Sequence, residues 1–226
     1  MIKLYMISVV VPALNEQDYI ARCLNSLAQQ DYPGRFEIIV VDNGSIDSTA
    51  AIAGSLGARV IHQPRKGIAR ARHSGFLAAR GQIIASTDAD TTVPGDWLSR
   101  INRLFRQNPG AVAVAGHFLL SDGPASVRWW IRVSRRLMPY ILKFIPWLWN
   151  FSDVNFAIRA DAFASVGGFN TDIPLGEDID LCRRLRQKGR VIFEPSLLVQ
   201  TSGRAFSNDR LGLKHLFHYL KLLRQS

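Results

Sequence analysis

The sequence predicts an α/β domain with a mostly parallel central sheet flanked by helices, an aromatic and basic helical insertion, and an amphipathic C-terminal helix. Three observations carry this expectation. Ile7-Ser8-Val9-Val10-Val11, Phe36-Glu37-Ile38-Ile39-Val40-Val41 and Gln82-Ile83-Ile84-Ala85 are short, β-branched and largely apolar, as strands covered on both faces are. Segments of helical length separate the strands, so the connections have the βαβ form that runs strands parallel. With 226 residues and 47% hydrophobic composition, the chain is long and apolar enough for one substantial core.

Pro12-Ala13-Leu14-Asn15-Glu16 ends the first strand. Ile20, Cys23, Leu24 and Leu27 then form one apolar helical stripe, which Tyr32-Pro33-Gly34 stops. The second strand runs into Asp42-Asn43-Gly44-Ser45. Asp47-Ser48-Thr49 caps an Ala-rich helix to Leu56, Gly57 closes it, and Arg59-Val60-Ile61 is a further short strand. Another helix opens within Lys66–Gly75 and ends at Gly81. After Asp88-Ala89-Asp90, a helix begins at Val93-Pro94-Gly95-Asp96-Trp97 and runs through Phe105, and Ala111–Gly116 follows as a strand. Asp153–Arg159 reads as a short strand, and Asp161 as the cap of a helix closed by Gly167-Gly168. Glu177–Leu185 reads as a helix with acids in its first turn and bases in its last, as its dipole prefers. Val191-Ile192-Phe193 and Leu197-Leu198-Val199 read as two late strands.

Lys plus Arg number 28 against 18 Asp plus Glu, a net charge of +10 that suits an anionic partner: nucleic acid, an anionic membrane face or a phosphorylated substrate. Cys23 and Cys182 both fall at apolar helix positions and read as small buried hydrophobes in a reducing cytoplasm. The opening segment lacks a separate basic region and a cleavage site, so it reads as the first strand and not as a signal peptide. No run reaches the ~18 uncharged apolar residues of a spanning helix.

The informative pair is Asp88 and Asp90, two carboxylates one residue apart where a buried strand stops. The carboxyl edge of a parallel sheet is the usual place for a ligand. Two close carboxylates stay ionised cheaply only beside a cation, and hard oxygen ligands favour Mg²⁺ or Mn²⁺ over Zn²⁺. Taken alone, an Asp-x-Asp more often marks a strand-end turn followed by a helix cap; the rest of the chain reverses that balance.

Residues 121–152 differ in character. Four of the five tryptophans fall here, Trp129, Trp130, Trp147 and Trp149, interleaved with Arg128, Arg132, Arg135, Arg136 and Lys143. That mixture suits either the headgroup level of a bilayer or a helical lid packed on the core. From Asp209 onward, Leu213, Leu216, Phe217, Leu220 and Leu223 share one helical face and Lys214, His218 and Lys221 another. The expected organisation is a catalytic domain over 1–205 and a basic amphipathic helix over 206–226.

Five pieces, in this order and spacing, resemble family-2 glycosyltransferases of GT-A (Rossmann-like) fold over roughly residues 5–205. They are Val-Val-Val-Pro-Ala-Leu-Asn-Glu, Ile-Ile-Val-Val-Asp-Asn-Gly-Ser-Ile-Asp-Ser-Thr, Gly-Ile-Ala-Arg-Ala-Arg-His-Ser-Gly, Asp-Ala-Asp and Gly-Glu-Asp-Ile-Asp-Leu. The resemblance implies a metal-dependent, inverting transfer of one sugar from a UDP- or GDP-sugar. It assigns the nucleotide base and ribose to Pro12, Ala13, Asn15, Glu16 and Asp42. Asp88, Ala89 and Asp90 would hold ribose or diphosphate and Mn²⁺ or Mg²⁺, with Asp90 the more direct ligand. It makes Asp178 the general base, with Glu177 second. Lys66 and Arg70 are expected to add charge-assisted contacts to the phosphates, against the plainer reading of solvated cations at a helix start. The Gln-x-x-Arg-Trp motif of the family's processive synthases is absent; Thr201-Ser202-Gly203-Arg204-Ala205-Phe206 stands in that region. His73 occupies a position where the family often has Asn, and no role is assigned to it.

The acceptor is expected to be lipid-linked, such as a polyprenyl phosphate, with the enzyme peripheral on the cytoplasmic membrane face. A soluble acceptor is the alternative. A nucleic-acid-binding module would also fit the charge and the aromatic-basic interleaving, but strand-end carboxylates repel phosphate without a metal, and no nucleic acid partner is expected. A nucleotide-sugar-binding scaffold without catalysis is disfavoured by the intact Asp88, Asp90 and Asp178.

Overall fold

A computed structural model describes residues 3–144, 154–173 and 176–206. The expected tail helix, Trp147 and Trp149 lie outside the described residues. The first half holds β1 (Ile7–Ala13), α1 (Ile20–Ala28), β2 (Phe36–Asp42), α2 (Thr49–Ser55), β3 (Arg59–His62), α3 (Ile68–Ala78), β4 (Ile83–Ser86) and β5 (Thr91–Thr92). There follow α4 (Trp97–Gln107), β6 (Ala111–Leu120), α5 (Ala125–Phe144), β7 (Phe156–Arg159), α6 (Ala160–Ser165), α7 (Glu177–Arg186), β8 (Arg190–Thr201) and a 3₁₀ turn at Arg204–Phe206.

The strands form one eight-stranded sheet in the order β3-β2-β1-β4-β7-β6-β8-β5. β3, β2, β1 and β4 are parallel, as the βαβ spacing predicts, and β6 pairs parallel with β8. β7 enters antiparallel between β4 and β6, and β5 pairs antiparallel with β8. Along β1 the side chains alternate between two cores. Val9 and Val11 join Trp97, Leu98, Ile101 and Phe105 of α4 and Ile20, Cys23, Leu24 and Leu27 of α1. Val10 joins Phe76, Phe163, Phe169, Leu181 and Leu185 on the opposite face. Burial on both faces is why these strands lack polar alternation.

Pro12 continues β1 instead of ending it. In this ladder Val10 O accepts from Thr87 N on the β4 side and Ala13 O from Asn43 N on the β2 side. Pro12 therefore turns its missing N–H toward β4, whose ladder with β1 has already stopped at the Val10–Ser86 pair.

Two local expectations are corrected. The two late strands are one strand, β8, interrupted by an irregularity opposite Gly116. A Cβ at Gly116 would lie 2.0 Å from the Leu197 carbonyl oxygen, so the close approach requires glycine. Buried Asn155 fills the gap: its Nδ2 donates to His117 O (2.9 Å) and Leu197 O (2.8 Å), and its Oδ1 accepts from Trp97 Nε1 (2.9 Å). Asp161 does not precede its helix; it sits inside the first turn of α6, after Arg159, and its carboxylate accepts from Ala162 N. Cys23 and Cys182 are buried and unbridged, as expected.

Helix α3 lies tightly on β1 and β2 at Gly75, where an added Cβ would come within 2.4 Å of Val10 Cγ1 and 2.8 Å of Val41 Cγ2. Gly75→Ala should therefore overpack this contact despite alanine's better helix propensity. We expect a loss of about 1–3 kcal/mol, read as a fall of several degrees in Tm. An unchanged or raised Tm would show that α3 is free to move away from the sheet.

Candidate active site

A pocket of about 300 Å³ opens at the carboxyl ends of β1 and β4. Pro12, Ala13, Leu14 and Glu16 wall it from the exit of β1, and Asp88, Ala89 and Asp90 from the exit of β4. Asn43, then Gly67, Ile68, Ala71 and Arg72 at the start of α3, and Arg204 complete the rim.

The loops around this pocket are tied to each other by hydrogen bonds. Asn15 takes a left-handed backbone conformation (φ 55°), which asparagine tolerates better than most residues. Its N–H donates to Ser45 Oγ and its Oδ1 accepts from Ile46 N. Asp42 Oδ1 accepts from Ser45 N, and Glu16 N donates to Thr49 Oγ1. Asn43 Oδ1 accepts from Gly67 N, fixing the entry to α3. Asn15 and Asp42 thus shape the wall without lining it.

Two arginines alternate with four carboxylates. Arg72, its side chain 1% exposed, donates through Nη1 to Glu177 Oε1 (2.5 Å) and through Nη2 to Asp88 Oδ1 (2.9 Å). Arg204 pairs with Glu16 Oε1 and lies 3.3 Å from Asp90 Oδ2, with its guanidinium carbon 4.5 Å above the Tyr19 ring. Asp90 Oδ1 accepts from Thr201 Oγ1, which the β5–β8 pairing brings alongside. Beyond Thr201, the Asp122 carboxylate accepts from Ser202 Oγ and Gly203 N, anchoring the turn that carries Arg204.

These contacts set the charge states. Burial pushes the Glu16 carboxyl above its ordinary range, Asp90 and Asp47 add to the push, and Arg204 opposes it. Glu16 Oε2 is buried with no hydrogen-bond partner among the described residues. Burial works against the charge of Arg204, but Glu16 and Asp90 hold its pKa above the usual value. The Cys23 thiol, buried and close to Asp88 and Asp90, is pushed far upward and stays protonated. Burial alone lowers His73, which packs against Phe163 as a neutral ring.

Of the residues singled out in the sequence, Pro12, Ala13, Glu16, Asp88, Ala89 and Asp90 meet in one pocket. Lys66 is exposed and Arg70 turns back toward the Lys66 carbonyl; neither lines the pocket. The cations on its wall are Arg72 and Arg204. Arg72 carries a signal in the sequence: it falls on the same face of α3 as Ala69, Gly75 and Phe76, and a guanidinium on a buried stripe demands carboxylate partners. Arg204 carries no local signal, because its partners are far away in the chain. Glu177 and Asp178 open α7, with Glu177 buried against Arg72 and Asp178 partly exposed.

A family model described as "Glycosyl transferase family 2" matches residues 8–167. The chain is 29% identical over 195 residues to the glycosyltransferase AglE of Haloferax volcanii, covering 81% of this chain and 62% of that protein. The chain thus spans less than two thirds of that relative's length. Among solved structures, the mannosyltransferase PcManGT of Pyrobaculum calidifontis, in complex with GDP-Man and Mn²⁺, superposes with a TM-score of 0.70. It is 22% identical, over 88% of this chain and 57% of that one. S. aureus TarS 1-349 in complex with UDP-GlcNAc gives the same TM-score at 20% identity, over 88% and 58%. At these identities the likeness establishes the GT-A fold.

Removing one partner of a buried ion pair strands the other, at a cost of about 3–5 kcal/mol. Arg72→Met should therefore lose stability on that scale, and adding Glu177→Gln should recover part of it. Urea unfolding of the two single variants and the double gives the coupling. Strict additivity would mean that Arg72 and Glu177 do not stabilise each other.

Proposed function

Because the chain belongs to glycosyl transferase family 2, we propose that it moves one sugar from a nucleoside-diphosphate sugar to an acceptor, with inversion at the anomeric carbon. The observation that carries this reading is the pocket in which Asp88 and Asp90 face the β1 exit, between the guanidinium of Arg72 and that of Arg204. Pro12, Ala13 and Glu16 would take the nucleoside, with Asn15 and Asp42 holding the loops that present them. Both UDP- and GDP-sugars remain donors under this reading, since the two similar structures hold one of each.

The donor set fits a divalent cation. Asp88 and Asp90 offer hard carboxylate oxygens, and Glu16 leaves one buried oxygen without a partner among the described residues. No group of three or more His, Cys, Asp or Glu that could hold a metal occurs among the described residues. Two carboxylates leave most of an octahedral shell to diphosphate oxygens and water, which is how Mg²⁺ usually binds. Asp90, with Asp88, would hold Mn²⁺ or Mg²⁺, and the ion would supply Lewis-acid stabilisation of the leaving diphosphate. Arg72 holds Asp88 in place, and Glu177 is the countercharge that holds Arg72 there.

For a hydroxyl acceptor, Asp178 takes the proton as the acceptor oxygen bonds to the anomeric carbon. The bond from that carbon to the diphosphate oxygen breaks, and its electron pair leaves with the diphosphate. Asp178, partly exposed, suits the role better than Glu177, which is buried beneath Arg72. Titration calorimetry with UDP- and GDP-sugars in Mn²⁺ and then in EDTA tests the donor half. Binding should need the metal and fail in Asp90→Ala; binding indifferent to both overturns the metal assignment. Asp178→Asn should bind donor normally but turn over ~10²–10⁴-fold more slowly. Near-normal turnover would remove Asp178 as base and favour a phosphate acceptor, whose attacking oxygen has no proton to lose.

The acceptor we propose is lipid-linked and presented at an anionic membrane surface. No helix among the described residues is long and apolar enough to cross a membrane. Helix α5 instead exposes Trp129 and Trp130, each 63% accessible and stacked at 5.9 Å. Beside them a groove of about 370 Å³ is lined by Leu119, Trp129, Arg132, Val133 and Arg136, an apolar floor with cationic edges. Tryptophan favours the headgroup level, and each basic residue near an anionic leaflet contributes about 1 kcal/mol. Co-sedimentation with phosphatidylserine vesicles should be strong at low salt, fall as salt rises and weaken in Trp129→Ala/Trp130→Ala. Protein left in the supernatant at low salt would return the acceptor to the soluble class.

A further inference from the structure

We infer that Arg204, paired with Glu16, competes with the divalent cation for Asp90, so that cation and donor diphosphate can bind well only together. The inference rests on the reading of Asp88 and Asp90 as a cation site. Arg204 reaches both carboxylates: it bonds Glu16 Oε1 and stands 3.3 Å from Asp90 Oδ2. A cation on that Asp90 oxygen would lie within a few ångströms of the guanidinium, where like charges repel strongly. The two cannot share the oxygen, so one must yield.

Arg204 is built to yield, and Arg72 is not. The Arg204 side chain is 40% exposed, against 1% for Arg72. Its sideways support is the face of Tyr19, a contact that tolerates sliding. The backbone beneath it is fixed: Asp122 holds Ser202 and Gly203, so the movement is confined to the side chain. The diphosphate gives the guanidinium a place to go, since phosphate oxygens accept its planar fork bidentately. Binding of the nucleotide thus draws Arg204 off Asp90, the cation takes the freed oxygen, and Arg204 becomes a second cationic contact to the leaving group. Linkage requires the converse: the cation must raise nucleotide affinity by the same factor as the nucleotide raises cation affinity.

The test is Mn²⁺ titration of the full chain by calorimetry, first alone and then with saturating UDP or, in a separate series, GDP. Wild type should bind Mn²⁺ weakly alone and markedly more tightly with nucleotide. Arg204→Gln should bind Mn²⁺ alone about tenfold more tightly than wild type, within the usual range of site–site coupling, and gain less from nucleotide. Arg204→Lys, which keeps the charge but not the fork, should bind Mn²⁺ alone nearly as weakly as wild type. A merely structural Arg204 would not produce tighter metal binding on its loss. Equal or weaker Mn²⁺ binding by Arg204→Gln, with wild-type Tm, overturns the competition while leaving the cation site standing. Absence of Mn²⁺ binding by wild type even with nucleotide, or binding unaffected by Asp90→Asn, overturns the cation reading and the competition with it.

Discussion

A guanidinium almost wholly removed from water needs compensating charge, and Arg72 finds it in two carboxylates from distant parts of the chain. Glu177 lies 105 residues onward at the start of α7, and Asp88 lies 16 onward at the end of β4. The Arg72 ion pairs therefore bind three elements at one point: α3, the strand end that carries Asp88 and Asp90, and the helix that carries Asp178. Desolvating such a group is costly, and only good geometry with full pairing offsets it. Once those pairs form, the donor-side carboxylates and the first turn of α7 have a fixed relation. Gly75, one helical turn along α3, lets the same helix sit close enough to the sheet for Arg72 to reach across.

Most of the architecture was legible because local periodicity and burial agree in this chain. The α1 stripe of Ile20, Cys23, Leu24 and Leu27 is buried as its spacing implies. The doubly covered strands β1, β2 and β4 are visible in their β-branched runs. What escaped was non-local. The run through Glu194, Pro195 and Ser196 looks like a break between strands, yet the opposing Gly116 and the side chain of Asn155 absorb an irregularity and keep β8 continuous. β5 is two residues long and exists through its pairing to Gln200 and Thr201, which nothing within five residues of it announces.

The site divides along the same line. Its strand-end carboxylates and the Pro12–Glu16 corner were visible as motifs, and they converge. Its cations were expected at Lys66 and Arg70; the arginines that line the pocket are Arg72, about half a helical turn beyond Arg70, and Arg204, far along the chain. Helix phase separates Arg70 from Arg72, which lies about half a turn round α3 from it. Chain closure decides the second: the antiparallel β5–β8 ladder places Thr201 opposite Thr91, and Arg204 follows three residues later. Charge alone could not distinguish these arginines from the chain's other bases. Their carboxylate neighbours do.

The junction at Asn155 says something about how this fold can vary. The side chain there must donate twice to carbonyls and accept once from an indole, in a fully buried space. Aspartate supplies the acceptor but no donors, serine supplies one donor and too little reach, and glutamine is a methylene too long. The position has in effect an alphabet of one letter as long as Trp97 and the bend opposite Gly116 are kept. Drift at any of these three sites is then conditional on the others, so they should change as a set or not at all. A few such contingent positions, and not the broad apolar core in which one aliphatic residue readily replaces another, would limit how far sequences can diverge while retaining this sheet.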